Sequence, residues 1–169
     1  HPDGLSVDAA GNVFVVSYTC GDDARSQLWV LPHNPAMPAG AGFLAPRLVD
    51  ATFGGVEAES LKDTLVVRTA NAAAGLGAGD LLLLIGDDDA AYARNDNDDG
   101  RVLVYSAASL QSVLAGGGPV APTRSLVVPA QIPVGSYPVG MDFWPADNSL
   151  LIATTTGSIL RFAISPTTS

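Results

Sequence analysis

Short apolar runs, broken by glycine, proline, asparagine and aspartate, set the rhythm of this chain. Val13-Phe14-Val15-Val16, Leu28-Trp29-Val30-Leu31, Val102-Leu103-Val104-Tyr105 and Leu150-Leu151-Ile152 are each a few residues long and rich in β-branched, leucine or aromatic side chains. Such runs bounded by turn formers predict strands joined in antiparallel meanders rather than long helices. Leu81-Leu82-Leu83-Leu84-Ile85 is apolar at every position. That pattern predicts a strand buried on both faces, or a short buried helix; Gly86 and the aspartates that follow favour a strand that stops abruptly.

The runs recur. Pro2-Asp3-Gly4-Leu5-Ser6-Val7 followed by Asn12 matches Pro138-Val139-Gly140-Met141-Asp142-Phe143 followed by Asn148, without a gap. Each stretch then gives a turn, an apolar strand, a second turn and a third strand. A weaker copy lies between them, with Thr64–Arg68, Gly79–Ile85 and Gly100–Tyr105 as its first, middle and third strands. Ala45–Val49 and Ala121–Val127 echo one another as outer strands. Self-similarity on this scale marks repeated supersecondary units. The expected organisation is one domain over 1–169, with units at about 1–50, 51–128 and 129–164 and a polar tail at 165–169.

The stretch Pro2-Asp3-Gly4-Leu5-Ser6-Val7-Asp8-Ala9-Ala10-Gly11-Asn12-Val13-Phe14-Val15 resembles the opening of a blade in NHL-type and gluconolactonase-like β-propellers. The resemblance is good over 1–31, fair over 137–164 and weak between them. It implies an all-β fold of three to four antiparallel blades, each with both faces covered by its neighbours. It implies no activity, because propellers host many functions. About eleven strands are countable, and the 51–62 segment has room for another short one. Closed propellers have about 4–8 four-stranded blades, so the expected fold is an incomplete propeller. Its open edges predict partners: other copies of the chain, joined end to end in a filament or array, or the rest of a longer chain.

Composition narrows the function classes. A net charge of −9 argues against nucleic acid and against insertion at an anionic membrane surface. The charge suits cations, basic partners or plain solubility, and an extracellular or periplasmic location is expected. Seven of the eight basic residues are arginine and only Lys62 is lysine, and no phosphate-binding loop motif occurs. No run of about 18 apolar residues predicts a membrane span. The chain opens at His1 with no leader pattern, which predicts a mature product or an excised piece. Cys20 is the only cysteine, so no internal disulfide forms, and it reads as a small core filler.

The candidate chemistry lies in an acidic segment, 86–100, which holds six of the seventeen acidic residues. Asp87, Asp89, Asn95, Asn97 and Asp99 supply oxygen ligands at the density a hard cation such as calcium needs. Asn95-x-Asn97-x-Asp99-Gly100 matches the first half of a calcium-loop pattern, but Ser106 stands where the closing glutamate belongs. A solvated hairpin loop is the other reading. Catalysis is poorly supported: His1 is terminal, His33 sits in a proline-flanked loop, and no nucleophile elbow or zinc motif occurs. Lactonase-like propellers hold a divalent metal on carboxylates from several blades. Asp8, Asp142 and Glu57 are the nearest counterparts, and they cannot be aligned into one ring. Trp29, Tyr137 and Trp144 read either as inter-blade packing or as a sugar-stacking patch. No N-glycosylation sequon occurs, and Thr154-Thr155-Thr156 is a compositional candidate for O-linked sugar. Two functions stay open: a non-catalytic extracellular module for binding or self-assembly, favoured by the missing catalytic set, and a fragment of a lactonase-like metal-dependent hydrolase.

Overall fold

The computed structural model describes residues 2–17, 26–37, 42–55, 60–87, 101–127, 138–144 and 146–166. Among these residues the chain is mostly β, as expected, with eleven strands in three antiparallel sheets and one α-helix. The first sheet runs β1 (Pro2–Val7), β2 (Val13–Ser17), β3 (Gln27–Leu31) and β4 (Arg47–Asp50) in chain order. The second runs β5 (Ser60–Val66), β6 (Leu81–Asp87), β7 (Arg101–Tyr105) and β8 (Arg124–Val127). The third has three strands, β9 (Pro138–Trp144), β10 (Ser149–Thr154) and β11 (Ile159–Ala163). Chain neighbours pair throughout, so every sheet is a meander. The sheets do not close on one another.

The second sheet lies between the other two. One of its faces carries Leu61, Leu81, Leu83, Ile85, Leu103 and Tyr105, which share a core with Phe14, Val16, Leu28, Val30 and Val49 of the first sheet. Its other face carries Leu82, Leu84, Val102, Val104 and Leu126, which share a core with Met141, Leu150 and Ile152 of the third. Leu81 to Ile85 are each 0% exposed. Leucine is a good helix former, so local propensity alone does not place this run in a strand. Tertiary packing does: apolar cover on both sides stabilises each of these side chains by about 1.5–3 kcal/mol, and only a strand presents alternate residues to two opposed neighbours. Strands β2 and β3 bury alternate residues only, in keeping with sheet cover on one side.

Two features depart from the sequence reading. Residues 107–114 form a helix, α1 (Ala107–Leu114), inside an otherwise β-rich chain. The Ser106 hydroxyl accepts the Ser109 N–H at its start, and Gly116, at φ +99°, follows its end. Leu110 and Val113 seal the core shared by the first two sheets. The Arg47 guanidinium from β4 donates to the carbonyls of Val113 and Leu114 in the last turn of the helix; the Val113 carbonyl also accepts the Gly116 N–H. Ser106, aligned above with the missing calcium-loop glutamate, is thus a helix cap.

The repeat is also less regular than its sequence. The gapless match equates Phe14 with Leu150 and Val16 with Ile152. In the first hairpin, Val7 pairs Val13 and Leu5 pairs Val15. In the third sheet, Trp144 pairs Ser149 and Met141 pairs Ile152, so its connection is one residue shorter and its ladder is displaced by one. A slip of one residue turns a strand over. Phe14 and Val16 therefore approach the middle sheet from one side, and Leu150 and Ile152 from the other.

Candidate functional site

The described residues among those singled out for chemistry, Asp8 and Asp142 included, do not come together in one site. Asp87 ends β6, while Asp89, Asn95, Asn97 and Asp99 lie outside the described residues, as do Glu57, Tyr137, Cys20 and His1. Among the described residues no three His, Cys, Asp or Glu side chains gather as metal ligands. Asp8 is committed to its own turn: its carboxylate accepts the N–H groups of Ala10 and Asn12 and the Asn12 amide. Asn12 is buried, and its other amide atom accepts the His33 N–H, tying the β1–β2 turn to the segment after β3. Asp142 is exposed on β9, where Oδ1 accepts the N–H of the next residue. Thr154 closes the β10–β11 turn through Ser158. Trp29 and Trp144 belong to the first and third sheets, on faces turned away from the middle one, and so form no common patch.

Among the polar ties that cross the seams between the described sheets, three stand out that the sequence did not announce. Asp50, at the end of β4, is 2% exposed. Its Oδ1 accepts the backbone N–H groups of Thr52 and Phe53 and the Thr52 hydroxyl, and its Oδ2 accepts the Tyr105 hydroxyl at 2.9 Å. Burial, then the Asp50 charge, holds the Tyr105 hydroxyl far above its ordinary range, so it stays a donor. The second tie joins β5 to β9. Asp63 accepts the Thr64 N–H on Oδ1 and the Met141 N–H, from the third sheet, on Oδ2 at 2.9 Å. Burial raises the Asp63 pKa, the two N–H bonds oppose that, and the Asp142 charge adds to it. The third is Arg124, which donates to the carbonyls of Ala74, Ser165 and Pro166 and holds the chain beyond β11 against the second sheet.

The innermost strands meet backbone to backbone. A Cβ at Gly4 would lie 2.6 Å from the Asp63 Cα and 2.8 Å from the Lys62 carbonyl oxygen, so only glycine lets β1 approach β5 this closely. Ser6 and Thr64 belong to the faces that meet in the same seam. Their hydroxyls are buried without a hydrogen-bond partner among the described residues.

The most distinctive surfaces are the two outer faces of the stack. On the first sheet Leu5, Val15, Trp29 and Leu48 pair in a row across all four strands, and Val7, Val13 and Leu31 form a second row. Every one of these side chains is apolar. Leu5 is 64% and Val7 43% exposed, and the others are half-buried. On the third sheet the outward rows are Gly140, Ala153 and Ile159; Asp142, Leu151 and Arg161; and Trp144, Ser149 and Ala163. Ile159 is 73% and Trp144 54% exposed. Arg161 pairs with Asp147 and donates to the Ser149 hydroxyl, so its charge is satisfied within the sheet. The alternation of β2 and β3 showed which residues share a face. It did not show that the second face would also be apolar and open.

Comparison with family models, with curated proteins and with solved structures gives no match to this chain. No helix among the described residues is long and apolar enough to cross a membrane.

Proposed function

We propose that the chain is a β-propeller-type module without catalytic activity of its own, acting in binding or self-assembly through its two outer sheets. Three sheets in chain order, with β1, β5 and β9 as the packed inner strands, are the arrangement that successive propeller blades have. The observation that carries the reading is the contrast between the sheets. The middle sheet buries both faces, whereas each end sheet buries one; the first leaves its other face apolar, and the third leaves Trp144 and Ile159 exposed on either side of the Asp142 and Arg161 row. Seven apolar side chains in two continuous rows are an expensive surface to leave in water, and contiguous patches of this kind mark contact sites. The occupant that fits is another sheet of the same kind, supplied by another copy of this chain or by a longer one. An extracellular setting belongs to the same proposal and rests on the acidic, lysine-poor composition.

Sedimentation velocity on the purified chain tests the proposal. Reversible association that grows with concentration is the expected result. A single folded monomer throughout the micromolar range would refute it.

A further inference from the structure

Independently of how the outer faces are covered, we propose that the end of β5 forms a binding site for a small organic monocarboxylate with an apolar body. Two clefts flank the residues that follow this strand. The larger, about 640 Å³, lies between the β1–β2 turn and the second sheet, and the smaller, about 210 Å³, lies between the second sheet and β9. Val66, Val67 and Arg68 line both. The larger cleft falls within the range of small-molecule sites, about 300–1,000 Å³. Its walls are mainly small and apolar, Val7, Ala9, Val67 and Ala78 among them, and Arg68 and Gln111 are the lining residues whose side chains carry N–H donors. Apolar walls with a few polar groups are the composition of an organic-ligand site.

Arg68 is singled out by what the other described cations do. Arg47 holds the end of α1, Arg124 holds three carbonyls, Arg161 pairs with Asp147, and Arg101 has an interaction of its own. The Lys62 stem packs across Gly86. Arg68 is exposed and makes no hydrogen bond or ion pair among the described residues. A guanidinium offers a carboxylate two parallel N–H bonds. The neighbouring acids limit the charge it accepts. Asp8 lines the larger cleft and Asp142 the smaller, and both repel a second negative charge on the ligand. Asp8 does not compete for Arg68, because both of its oxygens already accept donors within its turn. The site therefore favours a monoanion with a hydrocarbon body over phosphate or a dicarboxylate.

The test is an amide-resolved NMR titration of the whole chain with hexanoate, with 1-hexanol and inorganic phosphate as parallel probes. Hexanoate is expected to shift the amides of Ala9, Ala10, Val67, Arg68 and Gly79 saturably, with 1-hexanol and phosphate much weaker. Arg68→Gln, at an exposed position, is expected to weaken hexanoate about tenfold, the equivalent of one charge-assisted hydrogen bond. Ala78→Leu, which fills the cleft and leaves the arginine, is expected to weaken it as well. Equal binding of hexanol would show an apolar cleft only, and equal binding of phosphate a bare charge only; either overturns the proposal. So do shifts elsewhere on the surface, or hexanoate binding that survives both substitutions. The titration is run at a protein concentration where sedimentation shows a single species, so its failure stays distinguishable from failure of the assembly reading.

Discussion

Removing the Tyr105 hydroxyl is the sharpest single test of how the first two sheets are held together. Tyr105 is 0% exposed and Asp50 2%, and the bond between them crosses from one sheet to the other. Tyr105→Phe keeps the ring and its packing against the shared core and deletes one donor. Hydrogen bonds to charged acceptors contribute about 1.5–3 kcal/mol, and the carboxylate left behind stays buried with no replacement for that donor. Asp50 keeps three bonds, all on Oδ1, from Thr52 and Phe53. The loss should therefore fall near the middle of the range, about 2 kcal/mol, and not at the larger cost of an unpaired buried charge. Urea denaturation followed by far-ultraviolet circular dichroism reads it as a lower midpoint at unchanged slope. Asp50→Asn in the Tyr105→Phe background should cost less than it does alone, because the two groups share one interaction. A Tyr105→Phe midpoint within error of the parent, or strictly additive costs, would refute the reasoning.

The remaining predictions concern the inner seams. Thr64 is 4% exposed with an unpartnered hydroxyl, so Thr64→Val, which keeps the shape, should raise stability by about 1 kcal/mol in the same urea assay; a loss of stability would show that the hydroxyl has a partner. Burial raises the Asp63 pKa above the ordinary 3.8, so the folded state binds this proton more tightly than the unfolded chain does. The Asp63 contribution is most favourable below the unfolded pKa and is lost as pH rises from about 4 through the folded pKa. Asp63→Asn should remove that fall from the stability–pH curve and lower stability by about 1 kcal/mol at neutral pH, because an amide has one acceptor oxygen for the two N–H groups of Thr64 and Met141; a curve of unchanged shape would contradict the assignment.

How far the sequence carried the fold is clear from single segments. Leu81–Ile85 showed its double burial in its composition, because a strand apolar at every position has no polar face to turn to water. The strand order followed from turn chemistry, since glycine, asparagine and aspartate punctuate each unit. Helix α1 escaped because its eight residues lie within a β-rich chain, although Ser106 ahead of Ala107 and Gly116 after Ala115 are capping signals. The start of β5 at Ser60 was hidden in 51–62, because Lys62 and Asp63 interrupt its apolar pattern: Asp63 is spent on the neighbouring sheet, not on solvent. The true register of the third sheet was illegible, because a loop shorter by one residue leaves the sequence match intact and reverses the faces. The candidate site was the least legible part. Asp8 and Asp142 had the right chemistry in the sequence, but their oxygens serve local backbone groups. Arg68 and the outer rows acquire meaning only once the strands around them are paired.

The central claim, that the outer faces are contact surfaces, is tested most directly by placing a charge on each. Leu5→Asp and Ile159→Asp put carboxylates on side chains that are 64% and 73% exposed and belong to neither core cluster, so folding should be retained. Sedimentation velocity of the two variants beside the parent is the decisive measurement. The account predicts that the parent associates and that each variant shifts toward a folded monomer with an unchanged urea midpoint. Association that persists in both variants, or a parent that is monomeric from the start, would contradict it.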